Sequence, residues 1–112
     1  SLGLVGSEMC IRDSLRTYKG GHIYTGCNIE NSSFGATNCA ERTAIFKAVS
    51  EGRKEFAKIA IVSSSGLKTY PCGICRQVMS EFFKGNEQII LENAGEIIKY
   101  TIDYLLPDSF KL

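Results

Sequence analysis

The sequence predicts an α/β fold in which helices pack on the faces of a mixed β-sheet. Short apolar runs typical of buried strands alternate with segments whose apolar residues recur at helical spacing. Turns rich in Gly, Ser and Asn separate these segments, and no repeat or linker divides them. A length of 112 residues with 44% hydrophobic residues suits one compact domain.

The first regular segments indicate a β-hairpin. Lys19-Gly20-Gly21 is a turn signal between a strand at residues 15–18 and a second strand that runs from His22 towards Ile29. Residues 31–37 are rich in Asn, Ser and Gly, which predicts a loop.

A helix is predicted to begin near Asn38, a favoured N-cap residue type. Glu41 follows three positions later, as in a capping box. Gly52 is a natural stop. The apolar stripe of this helix comprises Ala44, Ile45, Ala48 and Val49.

The second half of the chain predicts a buried strand, a helix, two more strands and a short last helix. Their expected bounds are residues 56–63, a helix from just after Pro71 to about Phe83, residues 88–91, residues 96–101 and residues 102–106.

Charge and cysteine content narrow the possible functions. The formal net charge is +1 and no basic patch is present, which disfavours a nucleic-acid partner and favours a small ligand. No apolar run has the length of a membrane span. The odd count of five cysteines, a C-x-x-C motif and no secretory signal pattern favour a reduced, cytoplasmic, metal-binding protein.

Three of the cysteines predict a zinc site. Cys39, Cys72 and Cys75 each lie at the start of a predicted helix, where the helix dipole favours the thiolate that zinc binds. Three protein ligands leave one tetrahedral position open, as in catalytic zinc sites. A water molecule there becomes a hydroxide nucleophile near neutral pH.

The residues next to these cysteines suggest supporting roles. Glu41, two residues after Cys39, can act as the acid–base group without being a ligand. Arg42 and Arg76 each follow a ligand closely and could donate hydrogen bonds to its sulfur. The alternatives are a capping role for Glu41 and ordinary surface charges for the two arginines.

The paired motifs C-x-E and P-C-x-x-C match the signature of zinc nucleobase deaminases. Residues 38–44 and 71–78 resemble the two hallmark segments of small homotetrameric cytidine deaminases. Residues 26–31 resemble the nucleoside-recognition segment of that family, and residues 105–110 resemble its C-terminal stretch. The resemblance covers Leu15 to Leu112.

This resemblance implies a cytidine deaminase-like fold, a homotetramer and a nucleoside substrate. Asn28 and Glu30 would bind the ribose hydroxyls, and the Ala40 backbone would contact the base. Phe110 would reach the site of a neighbouring subunit. Hydroxide would attack C4 of cytosine, and ammonia would leave, yielding uridine or deoxyuridine. Without the resemblance, Asn28 and Glu30 would be polar residues at a strand edge, and Phe110 a tail residue packed on its own domain.

The start of the chain departs from the family. A first helix and a strand with a Phe-x-Val-Gly-Ala-like stretch are not recognisable. Our hypothesis is that Ser1 to Ser14 form a non-native leader and that the deaminase-like domain, residues 15–112, is incomplete at its N-terminus. On that hypothesis we expect poor stability, weak tetramer formation and reduced or absent activity.

Two rival functions stay open at this point. One is deamination of another aminopyrimidine nucleoside or a nucleoside antibiotic. The other is a structural zinc module for protein contacts, which needs a fourth protein ligand from Cys10, His22 or Cys27.

Overall fold

The computed structural model describes residues 11–17, 21–63 and 70–110. The strands are β1 (Ile11–Thr17), β2 (Ile23–Cys27), β3 (Phe56–Ser63), β4 (Gln88–Asn93) and β5 (Glu96–Tyr100). The helices are α1 (Ala40–Ser50), α2 (Gly73–Phe82) and α3 (Ile102–Leu105), and a 3-10 turn spans Phe34–Ala36. The longest helix of the described residues, α1, has 11 residues, and none of these helices could span a membrane.

The five strands form one mixed sheet in the order β2-β1-β3-β4-β5. β1 is antiparallel to both of its neighbours, β3 and β4 are parallel, and β4 and β5 form an antiparallel pair. The α/β class and the mixed sheet predicted from the sequence are confirmed. The positions of the later elements also agree with the prediction to within two residues.

Strand β1 begins at Ile11, four residues before the strand expected at residues 15–18. Residues 11–14 pair along β3, and residues 12–14 also pair with β2. Residues 11–14 therefore extend the strand that was expected at residues 15–18. Ladder hydrogen bonds need only main-chain groups, so pairing does not depend on the side-chain pattern that the sequence lacks here. The origin of the first fourteen residues stays a prediction, and residues 1–10 lie outside the described ranges.

Helix α1 begins one residue later than expected, because Cys39 and not Asn38 is its N-cap. Asn38 instead forms an isolated β-bridge with Ile29, and its side-chain amide donates to Thr43 Oγ1 over 3.1 Å. The Cys39 side chain makes no capping hydrogen bond, so the expected capping box is not formed. The predicted stop is confirmed, since Gly52 follows the helix with a φ of +85°.

A buried apolar cluster joins the sheet to α1 and α2. Helix α1 packs on β1 and β2, and it also contacts α2. The fully buried members include Leu15, Ala44, Ile45, Ile59, Met79, Phe83, Ile89 and Leu91. This packing fixes the N-termini of α1 and α2 beside each other, which is where the chemistry-bearing residues lie.

Candidate active site

The thiols of Cys39, Cys72 and Cys75 meet between the N-termini of α1 and α2. The Sγ atoms of Cys39 and Cys72 lie 3.6 Å apart, and those of Cys72 and Cys75 lie 3.3 Å apart. All three lie within 4.8 Å of one another, and none is in a disulfide. Sulfur ligands about 2.3 Å from a tetrahedral zinc ion lie about 3.8 Å apart, so this cluster fits zinc.

The surroundings of Cys72 and Cys75 shift the pKa values of their thiols in opposite directions. Burial alone raises the pKa of Cys72, but hydrogen bonds from the Cys75 N–H and from the neighbouring thiols outweigh it and lower that pKa. Cys75 is buried, and burial together with the nearby Glu41 carboxylate raises the pKa of its thiol. Cys72 thus loses its proton more readily than an ordinary cysteine, whereas Cys75 holds its proton until a cation displaces it.

Glu41 lies beside the thiols in the first turn of α1. Its side chain is within hydrogen-bonding distance of the Cys75 thiol, and the residue is only 4% exposed. A carboxyl group shielded from bulk water next to a metal site can hold and pass on a proton. This is the position that the sequence predicted for an acid–base group.

Arg42 provides positive charge at the cluster. Its Nη2 donates to the Cys39 Sγ over 3.4 Å and to the Thr37 carbonyl over 3.3 Å. The hydrogen bond to Cys39 raises the pKa of Arg42. The buried Nε has no hydrogen-bond partner within the described ranges.

Arg76 contacts backbone and an aromatic ring. Its Nε donates to the Pro71 carbonyl and its Nη1 to the Leu105 carbonyl, each over 2.9 Å. The guanidinium also lies over the Tyr70 ring, 5.8 Å from the ring centre. These contacts attach Pro71, the residue before Cys72, to the end of α3. Within the described ranges, Arg76 therefore supports the backbone next to a ligand and does not donate to a ligand sulfur.

The segment after β2 runs next to the first ligand. The Ile29 N–H donates to the Asn38 carbonyl, and the Asn38 N–H donates to the Ile29 carbonyl, each over 2.8 Å. Asn28, which is half-buried, and Glu30, which is exposed, are the neighbours of Ile29 in the chain, so the bridge holds both next to the residue before Cys39. Ala40, the first residue of α1, is buried.

The C-terminal segment is attached to α2. The Gln77 Nε2 donates to the Phe110 carbonyl over 2.7 Å, and Phe110 is 72% exposed. Sequence reasoning missed Gln77, and it also missed Thr43, whose hydroxyl lies 3.1 Å from both the Cys27 and the Cys39 carbonyl oxygens. For Thr43 the available signal was its position four residues after Cys39, where a helical Thr reaches back to a carbonyl.

The residues proposed as a fourth protein ligand are not in this cluster. In the described part of the chain, the metal-binding group contains the three cysteines alone. His22 Nε2 lies 3.0 Å from Arg53 Nη2, while Cys27 is a free, half-buried thiol at the end of β2. Cys10 lies outside the described residues. Three thiols with a buried carboxyl group beside them are the arrangement expected of a zinc-dependent hydrolase.

Comparison with known proteins identifies which family of such enzymes this is. The family profile described as cytidine and deoxycytidylate deaminase zinc-binding region matches residues 15–92. The chain belongs to the cytidine deaminase family. The structural zinc module is thereby disfavoured, and the zinc cofactor predicted from the cysteines is confirmed.

Individual relatives support this assignment. Cytidine deaminase of Sporosarcina psychrophila is 50% identical over 80% of this chain and 67% of its own length. Cytidine deaminase of Halalkalibacterium halodurans is 48% identical over 95% of this chain and 76% of its own length. The crystal structure of cytidine deaminase from Burkholderia pseudomallei superposes with a TM-score of 0.86 at 41% identity, covering 96% of this chain and 86% of that one.

Proposed function

We propose that this chain catalyses the hydrolytic deamination of cytidine and deoxycytidine, as a step of pyrimidine salvage. Water adds to C4 of cytosine, the C4–N bond breaks, and the products are ammonia and uridine or deoxyuridine. The observation that carries the proposal is the cluster of three thiols with the buried Glu41 carboxyl group beside it.

The cluster provides a place for the nucleophile and Glu41 provides a route for protons. When bound by Cys39, Cys72 and Cys75, zinc supplies the Lewis acidity that makes water a nucleophile near neutral pH. Glu41 takes the proton that water loses on attack. It then returns a proton to the substrate, so that the amino group leaves as ammonia. Burial of Glu41 keeps this exchange apart from bulk water.

The segment after β2 supplies the nucleoside contacts in this proposal. The Asn28 amide and the Glu30 carboxylate bind the sugar hydroxyls, which both donate and accept hydrogen bonds without carrying charge. The Ala40 backbone contacts the base. The bridge between Ile29 and Asn38 supports these roles, because it keeps the sugar-binding residues beside the first metal ligand.

The assembly and location of the enzyme are part of the same proposal. Phe110, which is largely exposed, packs on the base in a neighbouring subunit of a homotetramer. Reduced thiols at the metal site suit the cytoplasm. Arg42 and Arg76 support the ligands from outside, one through the Cys39 sulfur and the other through the backbone before Cys72.

The Glu41→Gln variant tests the catalytic assignment. The amide keeps the shape of the side chain but cannot take a proton at neutral pH. We expect full zinc content and loss of ammonia release from cytidine by at least about 100-fold. The control is Glu55→Gln, which removes an exposed carboxylate paired with Lys84 over 3.7 Å. Unchanged turnover by Glu41→Gln would show that the acid–base role is wrong.

Substrate preference is tested by ammonia release from cytidine, deoxycytidine and an aminopyrimidine nucleoside antibiotic. We expect kcat/KM to be highest for one of the first two. A clear preference for the antibiotic would make the chain a nucleoside-antibiotic deaminase of the same family. Metal spectroscopy that shows four protein ligands would instead favour a structural zinc module.

A further inference from the structure

The Thr43 side chain joins the metal-ligand segment to the segment after β2. Its Oγ1 lies 3.1 Å from the carbonyl oxygens of both Cys27 and Cys39. The Asn38 Nδ2 donates to the same Oγ1 over 3.1 Å. A hydroxyl group carries one proton and two acceptor positions, so Thr43 can accept from Asn38 while it donates to a carbonyl.

The two carbonyl contacts of Thr43 differ in the parts of the chain that they connect. The Cys39 carbonyl already accepts the helical hydrogen bond of the Thr43 N–H over 2.9 Å, and a hydroxyl contact four residues back is ordinary for a helical threonine. The contact with the Cys27 carbonyl instead links α1 to the end of β2. Asn28 follows Cys27 directly, so this bond acts on the backbone that carries a proposed sugar contact.

The same region is held at a second point and is closely packed. The two backbone bonds between Ile29 and Asn38 attach the chain just beyond Asn28. A Cβ added at Gly26 would lie 2.4 Å from the Ala40 carbonyl oxygen, so the end of β2 directly touches the first turn of α1. Thr43 contacts both sides of this junction, through Cys27 and through Asn38, and so joins them at the end next to the thiols.

We propose that Thr43 is a positioning residue that sets the place of Asn28 and Glu30 relative to Cys39 and Glu41, an inference that rests on the proposed function. The sugar-binding and metal-binding sides of the site come from different elements. A substrate held by one side must present its base to the other, so the placement of the two sides determines how well the nucleoside binds in its productive position. Thr43 needs no contact with the nucleoside to act in this way.

Thr43→Val removes the hydroxyl group at nearly constant shape, and Thr43→Ser retains it. For Thr43→Val we expect KM for cytidine to rise on the order of ten-fold, with kcat within about three-fold and full zinc content. Thr43→Ser should stay within about two-fold of wild type in both constants. The control is Thr101→Val, since Thr101 is exposed and its side chain makes no capping bond. Thr43→Ala, which leaves room for water at the Cys27 carbonyl, replaces Thr43→Val if that variant does not fold.

A double-mutant cycle with Asn28→Ala separates positioning from general stability. If Thr43 acts through Asn28 and Glu30, Thr43→Val should cost less nucleoside binding in the Asn28→Ala background than in wild type. Additive losses, an unchanged KM in Thr43→Val, or a Thr43→Ser variant as defective as Thr43→Val would overturn the proposal.

The uridine-induced rise in unfolding temperature of the zinc-loaded chain is measured alongside turnover. A wild-type chain that binds uridine without deaminating cytidine would refute the proposed function. The double-mutant cycle of Thr43 and Asn28 would then be measured by uridine binding instead of turnover. A chain that does neither would overturn both.

Discussion

The Arg42 guanidinium donates a hydrogen bond to the sulfur of Cys39 over 3.4 Å. The two residues lie three positions apart, at the N-cap and in the first turn of α1. Three thiolates around a divalent zinc ion leave a net charge of about −1 at the site. A fixed cation at one sulfur offsets this charge, and two helix N-termini add their partial positive charge.

Replacing Arg42 by Gln should therefore weaken zinc binding. The amide can still donate a hydrogen bond, but the positive charge beside the thiolates is lost. We expect the Kd for zinc to rise by about 10- to 100-fold, measured by competition with a chromophoric chelator.

Arg53→Gln is the matched control for Arg42→Gln. It removes the same charge from a guanidinium that bonds Tyr24 and Glu51. An equal rise in Kd for both variants would mean that overall charge, and not the bond to Cys39, determines the effect.

Zinc binding should release protons at neutral pH. Burial raises the pKa of the Cys75 thiol, so in the metal-free protein it is still protonated at pH 7, and zinc must displace that proton. The lowered pKa of Cys72 reduces the proton release required there. Zinc affinity should thus rise with pH through neutrality and fall in acid.

Calorimetric titration with zinc in buffers of different ionisation enthalpy counts the released protons directly. We expect at least about one proton per zinc at pH 7. A Cys75→Ser variant should bind zinc more weakly and release fewer protons. Heats that do not depend on the buffer would contradict the protonated state that we assign to Cys75.

Much of this site could be predicted because it is encoded locally. Cys72 and Cys75 lie three residues apart, so the first turn of a helix brings their side chains to one face, and Glu41 lies only two residues from Cys39. That the two pairs face each other was predicted from the match to the zinc deaminase signature and not from their spacing. Strand Phe56–Ser63 was predicted with its observed bounds because an apolar run marks a buried strand.

The parts that sequence reasoning missed depend on contacts between distant segments. Asn38 has the chemistry of an N-cap, yet its backbone pairs with Ile29 and the helix begins after Cys39. Residues 11–14 show no strand periodicity, but two neighbouring strands supply their pairing. The role of Thr43 is likewise visible only once Cys27 is known to lie against α1.

Adding a single methyl group at Gly26 should destabilise the fold and the site together. In Gly26→Ala the new Cβ would lie 2.4 Å from the Ala40 carbonyl oxygen and 2.6 Å from the Ala44 nitrogen. Both are backbone atoms, so β2 and α1 must move apart. We expect a loss of about 1–3 kcal/mol in the free energy of unfolding and a higher KM for cytidine.

Gly35→Ala is the control for Gly26→Ala, because a Cβ at Gly35 would meet nothing within 4 Å. Denaturant unfolding of the zinc-loaded proteins measures the difference. If both variants unfold at the wild-type midpoint, β2 and α1 are not in the close contact described here.

The hydrogen bonds of Tyr24 should make stability fall in alkaline solution. The Tyr24 hydroxyl donates to Glu51 Oε1 over 3.0 Å and accepts from Arg53 Nη1 over 3.0 Å. Desolvation and the hydrogen bond to Glu51 raise the pKa of Tyr24 above its ordinary value of 10.0. A phenol whose pKa is higher in the folded state contributes stability that is fully present below pH 10 and is lost as the pH rises through the folded-state value.

Tyr24→Phe removes that titration, so its unfolding temperature should be lower than that of wild type near neutral pH. The difference should shrink as the pH rises above about 10 through the folded-state pKa, since wild type loses the contribution that the variant never had. Thermal unfolding across this range measures both curves. Tyr104→Phe, at a residue that is 73% exposed, is the control and should follow the wild-type curve. A constant difference between Tyr24→Phe and wild type would show that the hydroxyl group stabilises the fold without a shifted pKa.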